Sequence, residues 1–225
     1  MSSASNNISS SSCLWVFFGA LPLFLVLASG LRANPSSPSD PAEYPRIPTS
    51  ALVNYEVSTY EETVETMIME RVWLKGPKDI LFDPVPNMKT TTNQPGKVRF
   101  FNRSSPLLTF EFLTFPSAAF PWKVTPPTLN SYLQGKALTL AESNFEVIEA
   151  PEITTGPAKF RILGQRALTI RYSFDTKQGK IIRGENWLEK DGMIHVVIVE
   201  GTPNGFSRHF KEVKACLNSM HYRNN

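Results

Sequence analysis

The C-terminal third of the chain alternates between apolar and polar positions. Leu168, Ile170, Tyr172 and Phe174 are apolar, and Thr169, Arg171 and Ser173 lie between them. A period of two is the mark of a strand, whose successive side chains point to opposite sides of a sheet. Strand-like runs cover residues 159–163, 166–175, 181–190 and 193–201. Gly164-Gln165, residues 176–179 and Asp191-Gly192 separate them. Asp-Gly is a two-residue hairpin signal, because both positions tolerate positive φ. The pattern predicts an antiparallel meander with one covered face and one wetter face.

A helical period takes over in two places. Leu129, Tyr132, Leu133, Ala137 and Leu140 fall on one face of a helix over 128–141, with Pro126-Pro127-Thr128 as its start signal and Thr128 as its N-cap. Phe206, Phe210, Val213, Leu217 and Met220 form a second stripe over 206–220, with Cys216 at its edge. Residues 97–101 and 107–115 read as two strands joined through 102–106. Residues 51–74 read as strand, although 61–71 also fits the start of a helix. Residues 75–95 are broken by Gly76, Pro77, Pro84, Pro86 and Pro95 and read mostly as loop. The sum is an α+β domain over 51–225, an antiparallel sheet with helices packed against it.

The N-terminus is different in kind. Residues 13–31 (CLWVFFGALPLFLVLASGL) carry no charge, and Arg32 is the first charged side chain. The strongly apolar part, 14–28, is long for a signal-peptide core and short for a bilayer span. Ala28 and Gly30 suit a cleavage site, yet residues 1–12 lack the Lys or Arg of a usual signal peptide. Two readings stand: residues 1–33 are a cleaved signal peptide, or 13–31 are a membrane anchor. The domain is then exported, periplasmic or extracellular, or tethered to a membrane. Residues 34–50 hold Pro35, Pro38, Pro41, Pro45 and Pro48 and read as an extended linker, either a spacer from a membrane or a plain disordered connection.

The helix over 128–141, the segment LGQRALTIRYSF (163–174), the hairpin at Asp191-Gly192 and the closing helix FSRHFKEVKACLNSM (206–220) follow in an order similar to the PsbP-like fold. Over about residues 97–225 the chain resembles that group. It includes the extrinsic photosystem II protein, the nuclear Ran-binding Mog proteins, and DcrB-type or LpqN-type bacterial envelope proteins. The resemblance implies an α/β sandwich with no shared active site and an accessory, binding or assembly role. It supplies no catalytic residue and leaves residues 51–95 unexplained.

The formal net charge of +3 is too mild for a nucleic-acid binder. Cys13 and Cys216 are not expected to pair, and Cys216 reads as a small buried apolar residue. His195 reads as a sheet-face residue, and His209 and His221 lack the spacing of a helical metal site. No nucleophile elbow, zinc-protease, paired-cysteine or phosphate-loop motif occurs. Neither catalytic residues nor metal ligands nor cofactors are expected. Asn102-Arg103-Ser104 is a sequon, relevant only in a eukaryotic secretory pathway.

Two clusters are candidates for binding. The stretch FEFLTFPSAAFPW (110–122) gathers Phe110, Phe112, Phe115, Phe120 and Trp122, either as an apolar-ligand surface or as strand aromatics filling a core. Between 159 and 183 seven cations, among them Arg171 and Arg183, face only Asp175. Between 56 and 71 Glu56, Glu61, Glu62, Glu65 and Glu70 accompany only Arg71. Either the basic strands dock an acidic partner or anionic headgroups through Arg171 and Arg183, or the two segments neutralise each other across the sheet. The expected function is a non-enzymatic accessory protein that binds a protein partner or assists assembly in the cell envelope. The alternatives are an apolar-ligand or lipid carrier, and a hydrolase with a dispersed site around His195. Reversing Arg171 and Arg183 to Glu should then abolish partner capture and leave the thermal midpoint nearly unchanged.

Overall fold

The computed structural model describes residues 44–48, 50–85, 88–94, 96–102, 108–151 and 160–223. The apolar segment 13–31, its cleavage site and the first part of the linker lie outside the described residues. The strands are β1 (Glu56–Val64), β2 (Met67–Lys75), β3 (Ile80–Phe82), β4 (Met88–Gln94), β5 (Lys97–Asn102), β6 (Leu108–Pro116), β7 (Glu146–Glu149), β8 (Arg161–Ile162), β9 (Gln165–Arg166), β10 (Leu168–Thr176), β11 (Gly179–Lys190), β12 (Met193–Gly201) and β13 (His221–Tyr222). The helices are α1 (Pro126–Thr139), α2 (Pro203–Arg208) and α3 (Phe210–Ser219).

The main sheet has seven antiparallel strands in the order β4-β5-β6-β12-β11-β10-β7. The predicted meander is its centre, and Asp191 and Gly192 turn β11 into β12 with φ of 52° and 76°. That is the tight turn their residue types favour. A second antiparallel sheet has four strands in the order β1-β2-β3-β13. It accounts for residues 56–82, which the PsbP-like resemblance leaves unexplained. Residues 61–71 form the ends of two strands joined by a turn at 65–66 rather than a helix, because Val72 and Leu74 alternate into the core and pull the hairpin into register. The expected loop over 75–95 also yields β3 and β4, and Pro77 and Pro84 flank β3 instead of interrupting it.

Both helices depart from their expected bounds. Thr125, not Thr128, caps α1, with Pro126 in the first turn where its missing N–H costs nothing. Thr128 completes a capping box from inside the helix. The closing helix is two helices. Thr202 caps α2, and His209, at φ −101° and ψ 12°, separates it from α3. The stripe survives the break: Phe206, Val213, Cys216, Leu217 and Met220 are buried, and Phe210 is half-buried. Cys216 is a free thiol whose pKa burial pushes up, as suits an inert core residue.

Both faces of the main sheet are covered, which corrects the expectation of a wetter face. On one face Phe110, Phe112, Val197 and Val199 meet Leu74, Ile80 and Phe82 of the second sheet, and Phe206, Val213 and Leu217 of α2 and α3. On the other, Phe115, Ile170, Trp187, Val196 and Ile198 meet Leu129, Tyr132 and Leu133 of α1. Ile47, Ala51 and Leu52 pack on this second core, so the end of the expected linker belongs to the domain. Val53 N–H donates to the Thr114 carbonyl at 2.9 Å and holds that segment along β6.

Candidate binding surface

The β1–β2 hairpin is longer than the core it serves. At its base Val72 and Leu74 are buried, whereas at its tip Met67 and Ile68 are 62% and 69% exposed. Tyr60 and Val64 are also exposed. The register sets Val64 opposite Met67, Thr63 opposite Ile68 and Glu61 opposite Glu70. Like charges directly across a strand pair are destabilising, so Glu61 and Glu70 do nothing for the hairpin itself. Arg71, the one cation of residues 56–71, is held by Glu62 at 2.9 Å and by Asp83. Lys75 sits 3.5 Å from Glu56. Glu61, Glu65 and Glu70 make no ion pair among the described residues. β1 is also an edge of its sheet, and among the described residues no strand pairs with its outer side, which leaves one row of its backbone groups open to another strand. Among the described residues the arm thus offers an apolar tip, carboxylates without counter-ions and a free strand edge.

Sequence reasoning saw the acidic run but not the arm. A usable signal was the pairs Glu61-Glu62 and Glu70-Arg71: adjacent charges point to both sides of a strand, which says that neither side is buried.

Arg171 and Arg183 do not share a surface. Arg171 pairs with Gly184 and Tyr172 with Arg183, so the pleat sends the two arginines to opposite faces. Arg171 Nη2 donates to Glu149 Oε2 at 2.6 Å, and its guanidinium lies 5.7 Å from the Phe206 ring centre. Arg183 donates to Glu185 and Glu200, each at 3.0 Å. Lys180 reaches Glu146 at 3.1 Å. These basic residues are therefore neutralised by acids of β7, β11 and β12, which corrects the expectation that residues 56–71 serve them.

Glu185 is wholly buried against α1. Its Oε1 accepts from Tyr172 OH at 2.8 Å, Arg183 Nε at 3.0 Å and Tyr132 OH at 3.2 Å. Burial opposes the charge on Arg183, but Glu185, helped by both tyrosines and Glu200, holds its pKa above the ordinary value. Burial first, then Glu185, raises both tyrosine pKa values.

The aromatic run divides as well. Phe110 and Phe112 belong to one core, and Phe115, Phe120 and Trp122 to the other. The even positions of β6 face one way and the odd ones the other, and the chain then folds Phe120 and Trp122 back over Trp187. The five rings do not form one apolar-ligand surface. They pack against other rings: Phe82, Phe100 and Phe110 cluster on one side, and Phe120, Trp122, Tyr132 and Trp187 on the other.

His195 is buried in the first core, with Nδ1 3.0 Å from Thr114 Oγ1 and Nε2 2.9 Å from Tyr222 OH. Among the described residues His195 bonds neither a serine nor a carboxylate, so the arrangement a hydrolase would need is not assembled around it there. Among the described residues no group of three His, Cys, Asp or Glu could hold a metal ion. None of the described helices is long and apolar enough to cross a membrane.

No family model and no curated protein matches the sequence. Two solved structures are similar in outline. One is a Pseudomonas aeruginosa protein of unknown function, at 11% identity and a TM-score of 0.37 over 74% of this chain and 99% of that one. The other is Mycobacterium tuberculosis LpqN, involved in cell envelope biogenesis, at 10% identity and a TM-score of 0.42 over 75% of this chain and 92% of that one. Likenesses this distant leave function to be argued from the chain's own residues.

Proposed function

We propose that this protein is a non-enzymatic binding protein, exported or membrane-tethered through residues 13–31, whose β1–β2 arm captures a basic, extended segment of a protein partner at the cell envelope. One observation carries the reading: on an edge strand pair the arm carries exposed Met67 and Ile68 together with Glu61, Glu65 and Glu70, which make no ion pair among the described residues. Edge strands are often blunted by charge to prevent pairing. Protection alone gives no reason to leave large apolar side chains at the tip. A partner strand that alternates cationic and apolar residues fits all three features, because the backbone gives affinity and the side chains give choice. Residues 13–31 support the compartment, since an uncharged apolar stretch at the N-terminus is the ordinary device for export or tethering.

The test uses the full chain and a labelled peptide that alternates lysine with valine, with a glutamate–valine peptide as control. Fluorescence anisotropy should show saturable binding of the lysine peptide and at least about ten-fold weaker binding of the glutamate one, a gap of about 1.4 kcal/mol. Met67→Lys with Ile68→Lys should weaken the lysine peptide by at least about ten-fold and leave the melting temperature within a degree or two, since both residues are exposed. Equal binding of the two peptides, no binding of the lysine peptide, or an indifferent double variant would each sink the proposal.

A further inference from the structure

Residues 44–47 cross α1 as a strap. Tyr44 lies directly on Gly135: a Cβ at Gly135 would stand 2.6 Å from the Tyr44 Cβ. Glycine inside a helix costs about 0.5–1 kcal/mol relative to alanine, and this close approach is the structural reason for it here. The Arg46 carbonyl accepts from Trp122 Nε1 at 3.0 Å, and Ile47 packs on the core. Held at these points, the strap leaves a cleft of about 430 Å³ against α1, lined by Tyr44, Arg46, Ile47, Tyr132, Lys136 and Thr139. That volume is of the size that holds a small organic molecule.

The cleft has an electrostatic imbalance. Lys136 is half-buried with its Nζ 5.2 Å from the Tyr132 ring centre, and no carboxylate among the described residues is within ion-pairing distance of it. Burial depresses its pKa, Glu185 opposes that shift, and Arg183 and Arg46 add to it. Glu185 is already engaged by two tyrosines and Arg183. Arg46, an exposed second cation, also lines the cleft, beside Tyr44 and Ile47.

We infer that this cleft binds a small organic acid, a carboxylate on an aromatic or branched apolar body, with Lys136 and Arg46 holding the carboxylate and Tyr44, Ile47 and Tyr132 enclosing the body. Two cations that make no ion pair with a carboxylate among the described residues select the charge. Ring faces and the Ile47 side chain select the apolar remainder. The site is remote in sequence from the arm and does not depend on the arm's role.

The test is calorimetric titration of the full chain in mild detergent with 2-naphthoate, using 2-naphthylmethanol and 2-naphthylmethylamine as neutral and cationic counterparts and empty micelles as the blank. Naphthoate should bind saturably at one site per chain, at least about ten-fold tighter than either counterpart. Lys136→Met keeps the packing over Tyr132, removes the charge and should weaken naphthoate by at least about ten-fold. Gly135→Ala favours the helix yet displaces Tyr44, so it should weaken naphthoate while leaving α1 intact by circular dichroism. Ile68→Lys on the arm should change nothing. Comparable binding of all three compounds, no saturable binding of naphthoate, or undiminished binding by Lys136→Met overturns the inference.

Discussion

The two faces of the main sheet are both closed to bulk water, yet they treat polarity in opposite ways. Toward the second sheet and α2–α3, the buried polar groups include Thr114, Asn186 and His195. His195 is held neutral there: burial, aided by Lys190 and Lys78, lowers its pKa to about 4. Toward α1, the buried polar groups include two carboxylates, Glu185 matched to Arg183 and Glu111 matched to Lys97 and Arg99. The difference follows the cover. The first face lies under a sheet and two helices. The second lies under one helix and a strap with a cleft beside it, and the Arg183 side chain keeps 23% of its surface in contact with water. A wholly buried ion survives only where a partner and residual hydration offset the cost of leaving water; Arg183 supplies both to Glu185, whereas the ion pair on the first face, Arg171–Glu149, stays partly exposed at both ends.

The most direct way to break this contrast is Arg183→Glu. It removes the counter-ion of a wholly buried carboxylate and sets a third acid beside Glu185 and Glu200. The expected loss is roughly 3–5 kcal/mol, read as a fall in the urea midpoint, or no folded protein at all. Arg171→Glu, facing the other way against Glu149 at the β7 edge, should cost less, roughly 1–3 kcal/mol. Equal losses would erase the distinction between the faces. Either outcome departs from the expectation, drawn from the sequence, that reversing both arginines leaves the thermal midpoint alone.

The neutral face predicts a pH dependence of defined sign. The unfolded imidazole takes up a proton near pH 6.5, whereas the folded one does so only near 4. Its contribution is therefore fully present above 6.5 and is lost as the pH falls toward 4, because the unfolded chain binds the proton first. The loss amounts to roughly 3 kcal/mol across that window. His195→Gln retains a donor and an acceptor between Thr114 and Tyr222 but cannot titrate, so its stability should be flatter between pH 6.5 and 5. A parallel slope in both proteins would show that the imidazole is not the group responsible.

The contrast between the faces was half legible in the sequence. The alternation of Leu168, Ile170, Tyr172 and Phe174 announced one apolar face, and Asp191-Gly192 announced the turn that folds the meander. The cover on the other face was not legible, because β3 is a three-residue strand between prolines and β13 has only two residues. Neither is long enough to show a period. Arg171 and Arg183 misled for a different reason. Their relative side depends on the hairpin register, which pairs Arg171 with Gly184 and leaves Arg183 one residue out of step. The arm was visible as charge only, since nothing in the order of residues says how far a hairpin outruns its core. The strap was hidden by its prolines, which read as linker although Tyr44, Arg46 and Ile47 make specific contacts.

The smallest effect concerns how each cover starts. α1 and α2 both begin with a threonine cap followed by proline, Thr125-Pro126 and Thr202-Pro203. Thr202 Oγ1 accepts a single bond, from Gly205 N–H at 3.1 Å. Thr125 shares a reciprocal box in which Thr128 Oγ1 accepts from Thr125 N–H at 3.0 Å and Thr125 Oγ1 accepts from Thr128 N–H at 3.4 Å. Loss of such a cap costs about 1 kcal/mol. Thr125→Ala leaves Thr128 able to accept the N–H of residue 125, so half of the box persists, whereas Thr202→Ala leaves Gly205 N–H without its partner. The two substitutions should therefore cost nearly the same, about 1 kcal/mol each, despite the richer cap on α1. A double change, Thr125→Ala with Thr128→Ala, should lose more than Thr202→Ala by about another 0.5–1 kcal/mol in urea unfolding. If it does not, the box adds nothing beyond a single cap, and α1 holds its face of the sheet through Leu129, Tyr132 and Leu133 alone.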